Sequence, residues 1–250
     1  MIRLLLFVFL LVSVAASAAE RVVSLSPALT ETLFFVGAGK ELVGVTRYCT
    51  VPQCKGLKRV GGIVDPNVEV ILSLKPTLVV ATTLTPERYL DFLKSRGVKV
   101  ERFRLVTLKD VEFAVERLGN LLGGNGSQKR AEFEAELRAA VLKLGCLSGK
   151  RVVLLLGKRV AYVAGSRSYL GEALELAGAK VYPDAAFEAV SWDYLCSLSP
   201  DVVVLLSEVS LPACLKKVRT VNALPLKDLL LHPSPVFIRG LETLGREVCR

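Results

Sequence analysis

Two stretches of the chain, 124 positions apart, follow one plan. Asn67 and Ser191 are placed to cap a helix, and Glu69 and Asp193 fall in its first turn. Leu74 and Leu198 sit near its end, and Pro76 and Pro200 stop it. A strand follows each proline, Leu78-Val79-Val80-Ala81 in the first copy and Val202-Val203-Val204 in the second. Unbroken apolar runs of this kind suit parallel strands buried on both faces. The repetition implies two lobes of one design, each presenting an acid at a helix start.

The remaining pattern extends that reading. Arg21 to Leu25 and Leu42 to Val45 read as strands, with a helix between them opened by Ser26-Pro27 and ending near Gly37. Helix 87–96 and a strand from Val98 complete the first lobe. Between Lys109 and Gly145 only helical periodicity is present. Val111, Ala114, Val115, Leu118 and Leu122 mark one helix, Gly123 to Gly126 break it, and Ser127 is placed to cap a second, which aligns Phe133, Leu137, Val141 and Leu144. That second helix reads either as a strut between lobes or as part of a helical hairpin packed on one of them. The second lobe offers strands 151–156 and 160–163, a helix ending near Gly178, a loop 183–190, the repeated helix and strand, a short helix around Leu215, and a last helix introduced by Pro233-Ser234-Pro235.

The fold class expected is α/β: two Rossmann-like lobes with parallel sheets joined by a single long helix. The boundaries expected are 1–18 for a signal peptide, 19–108 for the first lobe, 109–146 for the helical hairpin with the interlobe helix, and 147–250 for the second lobe. Arg3, the apolar core Leu4 to Val12 and Ala16-Ser17-Ala18 make the signal pattern, with cleavage expected near Ala18 and a periplasmic destination. Its apolar run is too short for a stable membrane span, and no cysteine follows to carry a lipid.

Six cysteines fit an oxidising compartment. Spacing favours Cys49 with Cys54 and Cys196 with Cys214, leaving Cys146 and Cys249. No CxxC is present and the chain has one histidine, so a zinc site of its own is not expected. The formal net charge of +9 comes from scattered Lys and Arg with no basic run interleaved with aromatics, which argues against nucleic acid. Catalytic motifs are missing too: no GxSxG, no complete dinucleotide fingerprint and no phosphate loop. No catalytic residue is therefore assigned. The alternative of another class is an exported enzyme using carboxylates such as Asp184, Glu188 and Asp228.

Several motifs, taken in order, resemble one family. They are Val23-Ser24-Leu25-Ser26-Pro27-Ala28-Leu29-Thr30-Glu31, Tyr48 before Pro52, Val60-Gly61-Gly62 with Asn67 and Glu69, Leu74-Lys75-Pro76, Gly165, and Ser234-Pro235 before the last helix. The set resembles the periplasmic solute-binding proteins for cobalamin and ferric siderophores that serve ATP-driven ABC importers. The resemblance implies a monomer of two αβ lobes that binds a small-molecule metal chelate in the cleft between them and hands it to a permease dimer. It implies no intrinsic cofactor: the metal arrives within the ligand, a corrinoid or ferric chelate, with haem as the alternative. The acids that dock on the permease in this family match Glu69 and Asp193. Helix-dipole stabilisation, about 0.3–1 kcal/mol each, is the competing account of those acids.

The same resemblance places ligand contacts at Tyr48, Ile63, Thr82, Tyr162, Phe187 and Asp228, with Ser26 and Gly62 from the motifs beside them. Ile63 and Thr82 depart from the aromatics that clamp a corrin in the family. Three further residues come from their chemistry. Arg47 and Arg167, in loops after strands, could hold a carboxylate or phosphate of the ligand, and His232 could ligate its cobalt or iron.

Overall fold

A computed structural model describes residues 20–157 and 160–250; the expected signal segment 1–18 lies outside the described residues. In the first lobe the chain runs β1 (Val22–Ser24), α1 (Pro27–Phe35), β2 (Leu42–Val45), β3 (Lys58–Arg59), α2 (Val68–Ser73), β4 (Leu78–Thr82), α3 (Glu87–Ser95) and β5 (Lys99–Phe103). The strands order as β3-β2-β1-β4-β5, and every pairing is parallel. Val22 lies opposite Leu78 and Val23 opposite Val79, all buried, which is what their apolar runs require.

The two copies of the repeat match down to the cap. Asn67 Oδ1 accepts from Val70 N at 3.0 Å, and Ser191 Oγ accepts from Tyr194 N at 3.1 Å at the start of α7 (Trp192–Ser197). Ser26 differs: it occupies the cap position of α1 ahead of Pro27, but its side chain makes no cap hydrogen bond.

Between the lobes run α4 (Leu108–Leu122) and α5 (Gly126–Leu142), packed on each other. Thr107 and Asp110 form a capping box at the start of α4, and Glu172 accepts from Leu108 N at 2.6 Å. Glu172 belongs to α6 (Tyr169–Leu176) of the second lobe, whereas α1 of the first lobe packs along α4. α4 therefore touches both lobes, and α5 packs on α4, α6 and α9 (Phe237–Val248) and meets α1 where the Lys129 ammonium lies 5.1 Å from the Phe35 ring. Ser127 does not cap α5. The cap position falls two residues earlier, at Asn125, and the helix starts at Gly126, whose N donates to Asn120 Oδ1, while Ser127 Oγ donates to Glu116 at 3.3 Å. Close approach explains the shift: a Cβ on Gly126 would stand 2.2 Å from the Glu116 carbonyl oxygen, so the two helices meet where no side chain intervenes.

The second lobe contains β6 (Arg151–Leu155), β7 (Ala161–Ala164), α6, β8 (Lys180–Tyr182), β9 (Phe187–Val190), α7, β10 (Val202–Leu205), β11 (Arg219–Asn222), α8 (Lys227–Leu230) and α9. Its sheet runs β11-β10-β6-β7-β9, with β8 beside the first half of β6. Contrary to the parallel sheet expected, it is mixed: β7 is antiparallel to β6 and to β9. The link from β6 to β7 is too short for the crossover a parallel partner needs, so the chain can only turn back. Part of the stretch expected as loop 183–190 is strand β9, and the segment around Leu215 is a turn rather than a helix, though Leu215 itself is buried.

One apolar core runs from the inner face of the first sheet through α1, α4, α5, α6 and α9 to the inner face of the second. Separate clusters cover the outer faces, with Ile71 of α2 in one and Leu195 of α7 in the other. The repeated helices are thus equivalent in packing as well as sequence. Disulfides join Cys49 to Cys54 and Cys196 to Cys214, and a third joins Cys146 to Cys249, tying the end of α9 to the segment after α5. No helix among the described residues is long and apolar enough to cross a membrane.

Candidate ligand-binding site

A cavity of about 410 Å³ lies between the lobes, within the roughly 300–1,000 Å³ of small-molecule sites. Ser26 and Thr82 reach it from the carboxyl ends of β1 and β4, and Leu156 reaches it from the end of β6. Doubly wound sheets bind ligands at such strand ends. Ile63 and Leu84 of the first lobe face Tyr162, Tyr169, Phe187 and Leu231 of the second, with Leu105 and Val106 from the connection to α4 between them. His232 also lines the cavity.

Of the ligand residues expected from the sequence, the cavity wall gathers Ser26, Ile63, Thr82, Tyr162, Phe187 and His232. Arg47, Tyr48, Gly62, Arg167 and Asp228 are not on that wall. Arg47 is ion-paired with Asp65 and stacks on the exposed Tyr48 ring at 5.3 Å. Gly62 lies beneath this pair. A Cβ there would stand 2.2 Å from Asp65 Oδ1 and 2.8 Å from the Arg47 guanidinium, so glycine leaves room for the ion pair. Arg167 pairs with Asp184 Oδ1 at 3.2 Å, and Ser166 Oγ donates to the same oxygen. Asp228 is exposed in the first turn of α8. None of Asp184, Glu188 and Asp228 lines the cavity.

Two residues at the site were given no ligand role from the sequence, although Glu31 closes the first of the motifs that carry the resemblance. Tyr169 opens α6, fully buried, with its hydroxyl donating to the Leu230 carbonyl at 2.7 Å and its ring edge-on to Phe237 at 5.4 Å. Burial and then the nearby Glu31 charge push its phenol far above the ordinary tyrosine range. Glu31, on α1, is only 5% exposed, and it meets His232 Nδ1 at 2.7 Å and the Ser234 hydroxyl. The hydrogen bond to Glu31 raises the His232 pKa against the opposing effect of burial. Nothing local in the sequence marks that contact, because its partners lie about 200 positions apart.

Glu69 and Asp193 are exposed in the first turns of α2 and α7, and neither makes an ion pair or hydrogen bond among the described residues. No group of three or more His, Cys, Asp or Glu suited to hold a metal ion occurs among the described residues.

Two α/β lobes enclosing an apolar, aromatic cavity at their strand ends define a bilobal solute-binding protein. The sequence profile of the periplasmic binding protein family matches residues 22–223, and the chain belongs to that family, one of binding proteins and not of enzymes. It is similar to the vitamin B12-binding protein of Yersinia pestis (strain Pestoides F), 27% identical over 202 residues that cover 78% of this chain and 72% of the relative. Its fold is similar to that of the periplasmic vitamin B12 binding protein of Vibrio cholerae, with a TM-score of 0.72, 23% identity, and 92% and 97% of the two chains covered. It is likewise similar to the periplasmic haem-binding protein BhuT in complex with two haems, with a TM-score of 0.74, 25% identity, and 92% and 98% covered.

Proposed function

We propose that this chain is an exported periplasmic receptor that captures a metal chelate in the interlobe cavity and delivers it to the permease dimer of an ABC importer. The chelate is a corrinoid of the cobalamin type, a haem or a ferric siderophore. The observation that carries the reading is the cavity itself, a slot walled by Tyr162, Phe187, Ile63 and Leu84 with one imidazole, His232, on its edge. Flat apolar walls suit a macrocycle, and an imidazole suits cobalt or iron. The B12- and haem-binding relatives support the same ligand class. Glu69 and Asp193 are the docking acids in this reading, and cleavage near Ala18 releases the mature receptor.

Titration of the purified protein with aquocobinamide, hemin and a ferric catecholate, read by absorbance, tests the proposal. Saturable binding of one of them at a defined stoichiometry, without ligand turnover, is the expected result. Failure of all three to bind would overturn it.

A further inference from the structure

The contact between Glu31 and His232 crosses the lobes and sits at the edge of the cavity. Glu31 comes from α1 of the first lobe; His232 and Ser234 come from the segment joining α8 to α9 in the second. Both carboxylate oxygens are used, Oε1 on His232 Nδ1 at 2.7 Å and Oε2 on the Ser234 hydroxyl. The segment carrying His232 is itself fixed. Ser234 N donates to the His232 carbonyl at 2.8 Å, and Phe237 N donates to the Ser234 carbonyl at 3.0 Å. His232 keeps 24% of its side chain exposed, while the Glu31 side chain keeps 4%.

An ionised carboxylate only accepts hydrogen bonds, so the hydrogen in this contact belongs to Nδ1. In the neutral imidazole the lone pair then lies on Nε2. Among the described residues Nε2 has no hydrogen-bond partner, and the ring lines the cavity. This is how a carboxylate behind a histidine prepares it for a metal: it selects the tautomer, holds the ring plane and makes the free nitrogen a stronger donor. Ser234 occupies the second carboxylate oxygen and keeps Glu31 from turning away.

From this geometry we infer that Glu31 is a positioning residue for the cargo, holding His232 with Nε2 as the axial donor to the metal of a chelate with an open coordination position. The inference rests on the reading of the cavity as a chelate site. It adds that a carboxylate of one lobe prepares a ligand of the other, so the donor is complete only when both lobes are in place.

The chain has one histidine, so nitrogen-15 NMR of the imidazole in the ligand-free protein reads its tautomer without ambiguity or substitution. The Nδ1–H tautomer is expected at a pH where the ring is neutral, and the Nε2–H tautomer would overturn the inference. Hemin is the probe for the loaded state. Glu31→Gln should lower the iron–histidine stretching frequency of the ferrous complex and weaken hemin binding by roughly 10–100-fold, and Glu31→Asp should restore part of both. A Glu31→Gln protein that is folded by circular dichroism yet keeps the wild-type frequency and affinity would overturn the positioning role. The ferrous wild-type complex should show an iron–histidine band, which His232, as the one histidine of the chain, must supply. Hemin that binds without that band would remove His232 as the ligand, a failure distinct from hemin not binding at all.

Discussion

Lys75 and Ser199, 124 positions apart, share a left-handed backbone conformation, with φ of 48° and 45°, and each is followed by proline. Each ends a repeated helix, where Lys75 N donates to the Leu72 carbonyl and Ser199 N to the Cys196 carbonyl. Proline disfavours the right-handed helical region in the residue before it, and a left-handed residue is a common way to end a helix. A side chain in that region costs about 1–2 kcal/mol. Glycine avoids that cost but loses more entropy on folding, so Lys75→Gly and Ser199→Gly should each stabilise the protein by about 0.5–1 kcal/mol. Urea denaturation of the two variants measures it, and destabilisation of both would contradict the strain.

The disulfides should rank by the loop they close. Sequence separations of 5, 18 and 103 residues for Cys49–Cys54, Cys196–Cys214 and Cys146–Cys249 correspond to about 2, 3 and 5 kcal/mol on the chain-entropy model. Replacing each pair with serine and comparing denaturation midpoints should reproduce that order. The loss of Cys146–Cys249 is expected to be largest, because it frees the last helix from the segment after α5.

Asp110 makes the start of α4 sensitive to acid. Partial burial pushes its pKa up, but hydrogen bonds from the Thr107 and Val106 amides and from the Thr107 side chain, with the Arg104 charge, outweigh it and hold the carboxyl below its usual value. A depressed acid contributes stability that is fully present above its unfolded pKa, near 3.8, and is lost as pH falls through the folded value. Asp110→Ala should therefore cost about 1 kcal/mol at pH 7. The difference from wild type should shrink as the pH is lowered below about 4, which thermal melts across pH 2–7 would show.

The two loop arginines expected to hold an anionic ligand are occupied, which bears on the charge of the cargo. Arg47 and Arg167 are paired with Asp65 and Asp184 in exposed ion pairs, which solvent screens, so they contribute little to stability. Asp65→Asn and Asp184→Asn should each free a guanidinium and strengthen hemin binding by up to about fivefold. An uncharged metalloporphyrin should bind as before. Equal effects on both probes would show that the pairs do not act through ligand charge.

Charge reversal at the repeated acids separates docking from capture. Glu69→Lys with Asp193→Lys should abolish transport in reconstituted vesicles while leaving ligand affinity unchanged, since both side chains are exposed and absent from the cavity wall. An equal fall in affinity would place those acids in the binding site.

Local order decided how much of this molecule could be read from its sequence. The caps Asn67 and Ser191, the stops Pro76 and Pro200, and the doubly buried strands of the first lobe follow from short-range rules, so the sequence determined the repeat and the α/β class. Mixed pairing in the second sheet depended on the short link from β6 to β7, a signal present in the spacing but masked by the alternation around it. The start of α5 depended on how closely two helices approach at Gly126. The partners that the expected ligand residues take depended on tertiary structure alone. Glu31 reaches His232 across 201 positions, and Arg47 and Arg167 take aspartates that no periodicity links to them. A buried carboxylate is stabilised by whichever donors the fold brings to it, and those donors come from the other lobe.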